Sequence, residues 1–220
     1  MERKLVSTNA VVIANAFNPS VVRESFLNKI GVVAPDEVKP GFIFSEQVAN
    51  VSTARFTLLV LPQQLQVAPV ERVGAGEVVG SVIVSLVKAL PHTPYVAAGI
   101  NFVWHLAPQD ETVAEATRRL FAGNASPLRD AFDVPNANAR FGFFASKDLG
   151  SVRLKLDVKP AHLLSPDGVK GGELVQCSFN FHRDVATATA LADVTELCER
   201  WTEFERLSEE LVVQLTEKKP

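Results

Sequence analysis

Two stretches of this chain match each other at a spacing of 85 residues. Val11-Val12-Ile13-Ala14-Asn15-Ala16-Phe17 lies over Val96-Ala97-Ala98-Gly99-Ile100-Asn101-Phe102, and Ala54-Arg55-Phe56 lies over Ala139-Arg140-Phe141. Internal similarity at a fixed spacing means that one supersecondary unit occurs twice, and this restricts the fold more than any other feature. At that spacing each half reads strand, helix, three strands, helix. Two β-α-β-β-β-α pseudo-repeats, residues 1–91 and 92–220, predict one compact α+β domain. Its twisted, mostly antiparallel sheet carries its helices on one face.

Local signals place the elements. Strands are expected over residues 8–17, 42–52, 55–61 and 64–69 in the first half, and over 95–106, 140–146, 151–161 and 173–183 in the second. Asn18 and Pro19 suit the start of a helix over 19–30, and Gly31 its end. A helix over 77–90 is apolar almost all round and is expected at the centre of the fold. Asp110 is read as the cap of a helix ending at 121, and residues 124–138 as a loop. A last helix over 191–216 carries Leu197, Trp201, Phe204, Leu207, Leu211 and Leu215 as one stripe. Residues 55–61 alternate Phe56, Leu58 and Val60 with Leu59 and Leu61. That strand is therefore expected to be covered on both faces.

Composition narrows the function classes. The 220 residues are 47% hydrophobic and 21% charged, as in a globular chain, with a formal net charge of −3. Nucleic-acid affinity comes from neutralising phosphates with Lys and Arg, so an acidic chain without a basic cluster argues against that partner. A mean hydropathy of +0.13 leaves room for a buried interface. Cys177 and Cys198 fall on an apolar strand and an apolar helix face and are expected as buried free thiols in a reducing, cytoplasmic setting. Ala14-Asn15-Ala16 mimics a signal-peptidase site, but the apolar run before it is short and is read as a strand. No apolar stretch reaches the length of a membrane span.

The best polar constellation lies on two strands. Asn101 and His105 point to one side of the strand over 95–106, and Asn180, His182 and Asp184 share one side of the strand over 173–183. If the strands are neighbours, two imidazoles and a carboxylate converge, which would suit acid–base chemistry or a divalent metal. The alternative is a solvated face of a one-sided sheet. Cys177 and His182 are five apart on one strand and so face opposite ways, which disfavours a Cys–His nucleophile. The chain lacks Gly-x-Ser-x-Gly, phosphate-loop and His-Glu-x-x-His patterns, and no cofactor or metal is expected.

The stretch Leu90-Pro91-His92-Thr93-Pro94-Tyr95-Val96-Ala97-Ala98-Gly99-Ile100-Asn101-Phe102, with Arg55-Phe56 and Phe179-Asn180-Phe181-His182, resembles a group of uncharacterised bacterial proteins of similar length. The resemblance implies a bacterial origin and an α+β fold, and carries over no activity. The duplicated architecture is similar to the saddle of the TATA-box-binding protein class by analogy only. The outward stripe Arg153, Lys155, Lys159 is interrupted by Asp157, against a nucleic-acid role. The leading expectation is a non-catalytic interaction or assembly subunit. It would contact a protein partner or a second copy through Trp201, Phe204, Leu211 and Leu215, with no membrane involved. The alternative is a small-molecule-binding protein or hydrolase-type enzyme acting through His105, His182 and Asp184, with Asn101 and Asn180 as ligand contacts.

Overall fold

The computed structural model describes residues 1–122, 127–134, 138–164 and 170–217. In chain order the elements are β1 (Glu2–Ala14), α1 (Glu24–Lys29), β2 (Ile43–Phe44), β3 (Ala49–Ser52), β4 (Phe56–Leu61), β5 (Gln64–Pro69) and α2 (Ala75–Ala89). There follow β6 (Tyr95–Ala107), α3 (Val113–Phe121), α4 (Pro127–Phe132), β7 (Phe143–Leu149), β8 (Val152–Leu164), β9 (Lys170–Asp184), α5 (Ala190–Glu199) and α6 (Trp201–Glu217). The strands form one antiparallel sheet in the order β2-β3-β4-β5-β1-β6-β9-β8-β7.

The α+β class and the antiparallel sheet match the expectation. The strand order also reads alike outward from the β1–β6 pair: β1, β5, β4, β3 on one wing and β6, β9, β8, β7 on the other, with β2 added outside β3. The element bounds do not follow the 85-residue spacing, however. β1 and β6 begin at residues 2 and 95 and end at 14 and 107, which is 93 apart at each end. At 85, Val11 near the end of β1 would overlie Val96 near the start of β6.

Period-two alternation separates the two faces of the sheet. In β6, Ile100, Phe102, Trp104 and Leu106 are buried, while Asn101, Val103 and His105 are only half-buried. The buried set faces the helices. Phe102 meets the Trp201 ring edge-on at 5.4 Å, Phe181 stacks on Phe204 at 4.3 Å, and the Trp104 Nε1 donates to Ser208 Oγ at 3.0 Å. Each of these phenylalanines contributes about 1.5–3 kcal/mol relative to an exposed ring. Close approach of α2 requires Gly76, because a Cβ there would lie 2.7–2.9 Å from Trp201 side-chain atoms.

Several boundaries differ from expectation for identifiable reasons. β1 starts six residues earlier than expected, because a register shift between Leu5 and Ser7 breaks the alternation that would have revealed it. The strand expected over 42–52 is two strands, since Ser45 Oγ accepts from the Val48 N–H (3.1 Å) and closes a turn. The helix expected over 19–30 is a 3-10 turn (Pro19–Val21) followed by α1. The cap of α3 is Thr112 rather than Asp110. Thr112 Oγ1 accepts from the Glu115 N–H (3.2 Å), and Glu115 accepts from the Thr112 N–H (2.7 Å). α4 lies within the span expected as loop, and residues 124–126 and 135–137 of that span lie outside the described residues. The long final helix breaks at Arg200, whose guanidinium is taken by Glu203 (2.8 Å) and lies 4.7 Å above the Phe204 ring. Pro166-Asp167-Gly168, a stretch whose sequence signals a loop, lies outside the described residues. β4 is not sealed on both faces: Leu59 and Leu61 are half-buried on the face opposite the helices. Among the described residues no helix is long and apolar enough to cross a membrane, which says nothing of strands.

Candidate functional site on the open sheet face

β6 and β9 are hydrogen-bonded neighbours, so the face away from α2, α5 and α6 gathers the polar residues of both. Asn101 pairs with Asn180, and Asn9 of β1 pairs with Asn101. Their amides form a ladder across three strands. The Asn180 Nδ2 donates to Asn101 Oδ1 at 2.7 Å, and the Asn101 Nδ2 donates to Asn9 Oδ1 at 2.8 Å. Gly99 is part of the design, because a Cβ there would press to 3.0 Å of Asn180 Nδ2.

His182 lies opposite Gly99 on one side and Arg153 of β8 on the other. Its Nε2 is 3.0 Å from Asp184 Oδ1. Arg153 donates to Asp148 of β7 through Nε (2.9 Å) and Nη2 (3.3 Å). The Asp148 hydrogen bond, then the charges of Asp148 and Asp184, hold the Arg153 guanidinium above its ordinary range. Together with Lys155 and the left-handed turn glycine Gly150 (φ +68°), these side chains line a concavity of about 460 Å³. Reading the sequence for parity pointed to the correct face but missed Arg153, Asp148 and Lys155 as neighbours of His182. The one available signal was the outward charge stripe on residues 153–159.

His105 does not join this group. It pairs with Lys4 and Gln176, six residues along β6 from the Gly99 that faces His182. At ~3.3 Å per residue the two imidazoles are about 20 Å apart. No group of three or more His, Cys, Asp or Glu able to hold a metal occurs among the described residues. Asn101, Asn180, His182 and Asp184 are thus brought together, and the two-imidazole site is not formed.

The thiols sit elsewhere. Cys177 and Cys198 are free and buried, and burial pushes each up to about 12. A thiol so raised is protonated at neutral pH and is a poor nucleophile.

The expected contact residues divide into two pairs. Trp201 and Phe204 are buried against Phe102 and Phe181 of the same chain, so a partner cannot reach them in this fold. Leu211 and Leu215 are half-buried against the core. Large exposed apolar groups include Val73 (92% exposed) and Phe132 (65%) off the sheet, and two adjacent pairs at the two ends of the sheet. Phe42 precedes β2 and Ile43 opens it, and Phe143 and Phe144 open β7, with Phe144 68% exposed. Sequence could have flagged the Phe143-Phe144 pair as apolar on both faces of one strand, but not that this strand is an edge.

No protein-family model matches the chain, and no curated protein matches it in sequence.

Proposed function

We propose that this chain is a non-catalytic interaction or assembly subunit of a bacterial cytoplasmic complex, made of two fused β-α-β-β-β-α halves. The observation that carries the reading is the apolar surface at the free ends of the sheet. An edge strand presents unpaired backbone groups, and proteins commonly blunt such edges with charge or proline. β2 and the first half of β7 present phenylalanine and isoleucine instead. The matching strand order of the two wings supports the fused-half origin. The separation of His105 from His182 removes the two-imidazole basis for the enzymatic alternative.

Light scattering on the purified chain, with mass spectrometry of whatever co-purifies, tests the role. The expected result is an oligomer or a stable hetero-complex. Phe144→Lys on one edge or Ile43→Lys on the other should dissolve it while leaving the circular dichroism spectrum intact. A wild-type chain that stays monomeric over a wide concentration range, with no companion protein, would sink this reading.

A further inference from the structure

The outward stripe of β8 has an unbalanced charge. It carries three cations, Arg153, Lys155 and Lys159, and its neighbouring carboxylates serve only two of them. Asp148 is bonded to Arg153, and Asp157 lies 2.9 Å from Lys159 Nζ. Lys155 is half-buried and has neither an ion-pair nor a hydrogen-bond partner among the described residues. Its cross-strand neighbours are Asn180 and Ser146, both neutral. A cation without a counter-charge attracts an anion that can reach it.

Lys155 also has a place to receive one. It lines the concavity of about 460 Å³, a volume in the range of small-molecule sites. Arg153 borders the same space. Its Nε and Nη2 are occupied by Asp148, while Nη1 has no partner among the described residues. The guanidinium is therefore held in place with three N–H donors to spare, two of them on Nη1. Of the acidic groups at the rim, Asp148 is neutralised by Arg153, and Asp184 is 96% exposed and screened by solvent. Two rim carboxylates would repel an extended polyanion such as a nucleic-acid backbone, but leave room for a single compact charge.

We propose that this concavity binds a small molecule through a carboxylate or phosphate group, held by Lys155 Nζ and Arg153 Nη1. The site does not rest on the assembly role: it lies at the Asp148 end of the edge strand β7, away from Phe143 and Phe144. Either anion meets the same donors, so the experiment separates the two sources. The full chain is titrated by calorimetry with inorganic phosphate and, separately, with succinate, at constant ionic strength in chloride. The expected result is saturable one-site binding of at least one of them. Lys155→Met should weaken it at least about tenfold, in keeping with loss of a charge-assisted contact. Lys155→Arg should retain most of the affinity, and Lys159→Met, on the same stripe outside the concavity, should leave it unchanged. Saturation by phosphate alone assigns a phosphoester-type ligand, and saturation by succinate alone assigns a carboxylate. Failure of both to saturate, or equal loss in Lys155→Met and Lys159→Met, overturns the proposal. Unfolding midpoints of the three variants show whether any loss reflects stability.

Discussion

The two wings of the sheet share an order of strands and differ in almost everything else. On the wing of β5, β4 and β3, the open face is neutral: Gln64, Gln66, Thr57, Leu59, Leu61 and Asn50. On the wing of β9, β8 and β7, the same face carries His182, Asp184, Arg153, Lys155, Asp157 and Asp148. Strand length differs too, with six residues in β4 and β5 against 13 in β8 and 15 in β9. Both wings nevertheless bury matching apolar rows under the helices. The comparison separates two demands on one strand. The helix-facing positions specify the fold, and the alternate positions are free to acquire chemistry on one wing only.

The largest test of this separation is Phe204→Ala. It deletes a fully buried ring stacked on Phe181, beneath the charged wing, and should cost about 3–5 kcal/mol in urea unfolding. If the fold rests on the helix-facing rows, both wings should lose stability together. Hydrogen exchange that rises only in β7, β8 and β9 would instead mark the wings as separate folding units.

A smaller effect is expected at the far end of β9. Arg183 there faces the helices and is held by Asp193 (2.6 Å) and Glu196 (2.8 Å) of α5. Burial pulls the guanidinium down, but the hydrogen bonds and charges of Glu196 and Asp193 together outweigh it and raise it above its ordinary range. Arg183→Met strands Asp193, which is largely shielded from solvent. It should cost about 2–4 kcal/mol, less than a fully buried pair because Glu196 remains half in water. Chemical denaturation of Arg183→Met beside Lys159→Met would check this, with the second change near neutral.

The smallest effect distinguishes the neutral wing. Glu37 is held below the ordinary carboxylate value near 4.5, chiefly by its hydrogen bond from Arg55, against the opposing pull of burial. A carboxyl lowered in the folded state stabilises fully above the unfolded value, and that contribution is lost as pH falls through the lowered one. Glu37→Gln should therefore be less stable than wild type at pH 6, by about 1 kcal/mol or less because the partner Arg55 is nearly half exposed. The difference should shrink as pH falls from the unfolded value near 4.5 through the lowered folded one. A gap that persists unchanged at pH 3 would show that Glu37 acts by packing rather than by charge.

Parity was the most legible property of the sequence. The alternation of Val152, Leu154 and Val158 with Arg153, Lys155 and Lys159 placed each side chain on its observed face. Distance along the strand was not legible. His105 and His182 have the right parity for one face, but only the register of β6 on β9 reveals that they lie three rows apart. Edge position was hidden as well, because it depends on the order of nine strands rather than on any one segment. The break at Arg200 left no sign in the apolar stripe, since Leu197, Trp201 and Phe204 keep helical spacing across it. The short matches near residues 11 and 96 pointed to four strands in each half, whereas the sheet has nine, and β1 and β6 lie 93 residues apart rather than 85.

The β1–β6 pair runs from Glu2 opposite Ala107 to Ala14 opposite Tyr95, and it stitches the amino-terminal wing to the carboxy-terminal one along their full length. The connection between the halves passes through Pro91 and His92, both open to solvent. A protease that severed the backbone there would leave two fragments zipped in a common sheet and clamped by Trp201 over Gly76. Such a nicked molecule would migrate as an intact one until a denaturant let its pieces part.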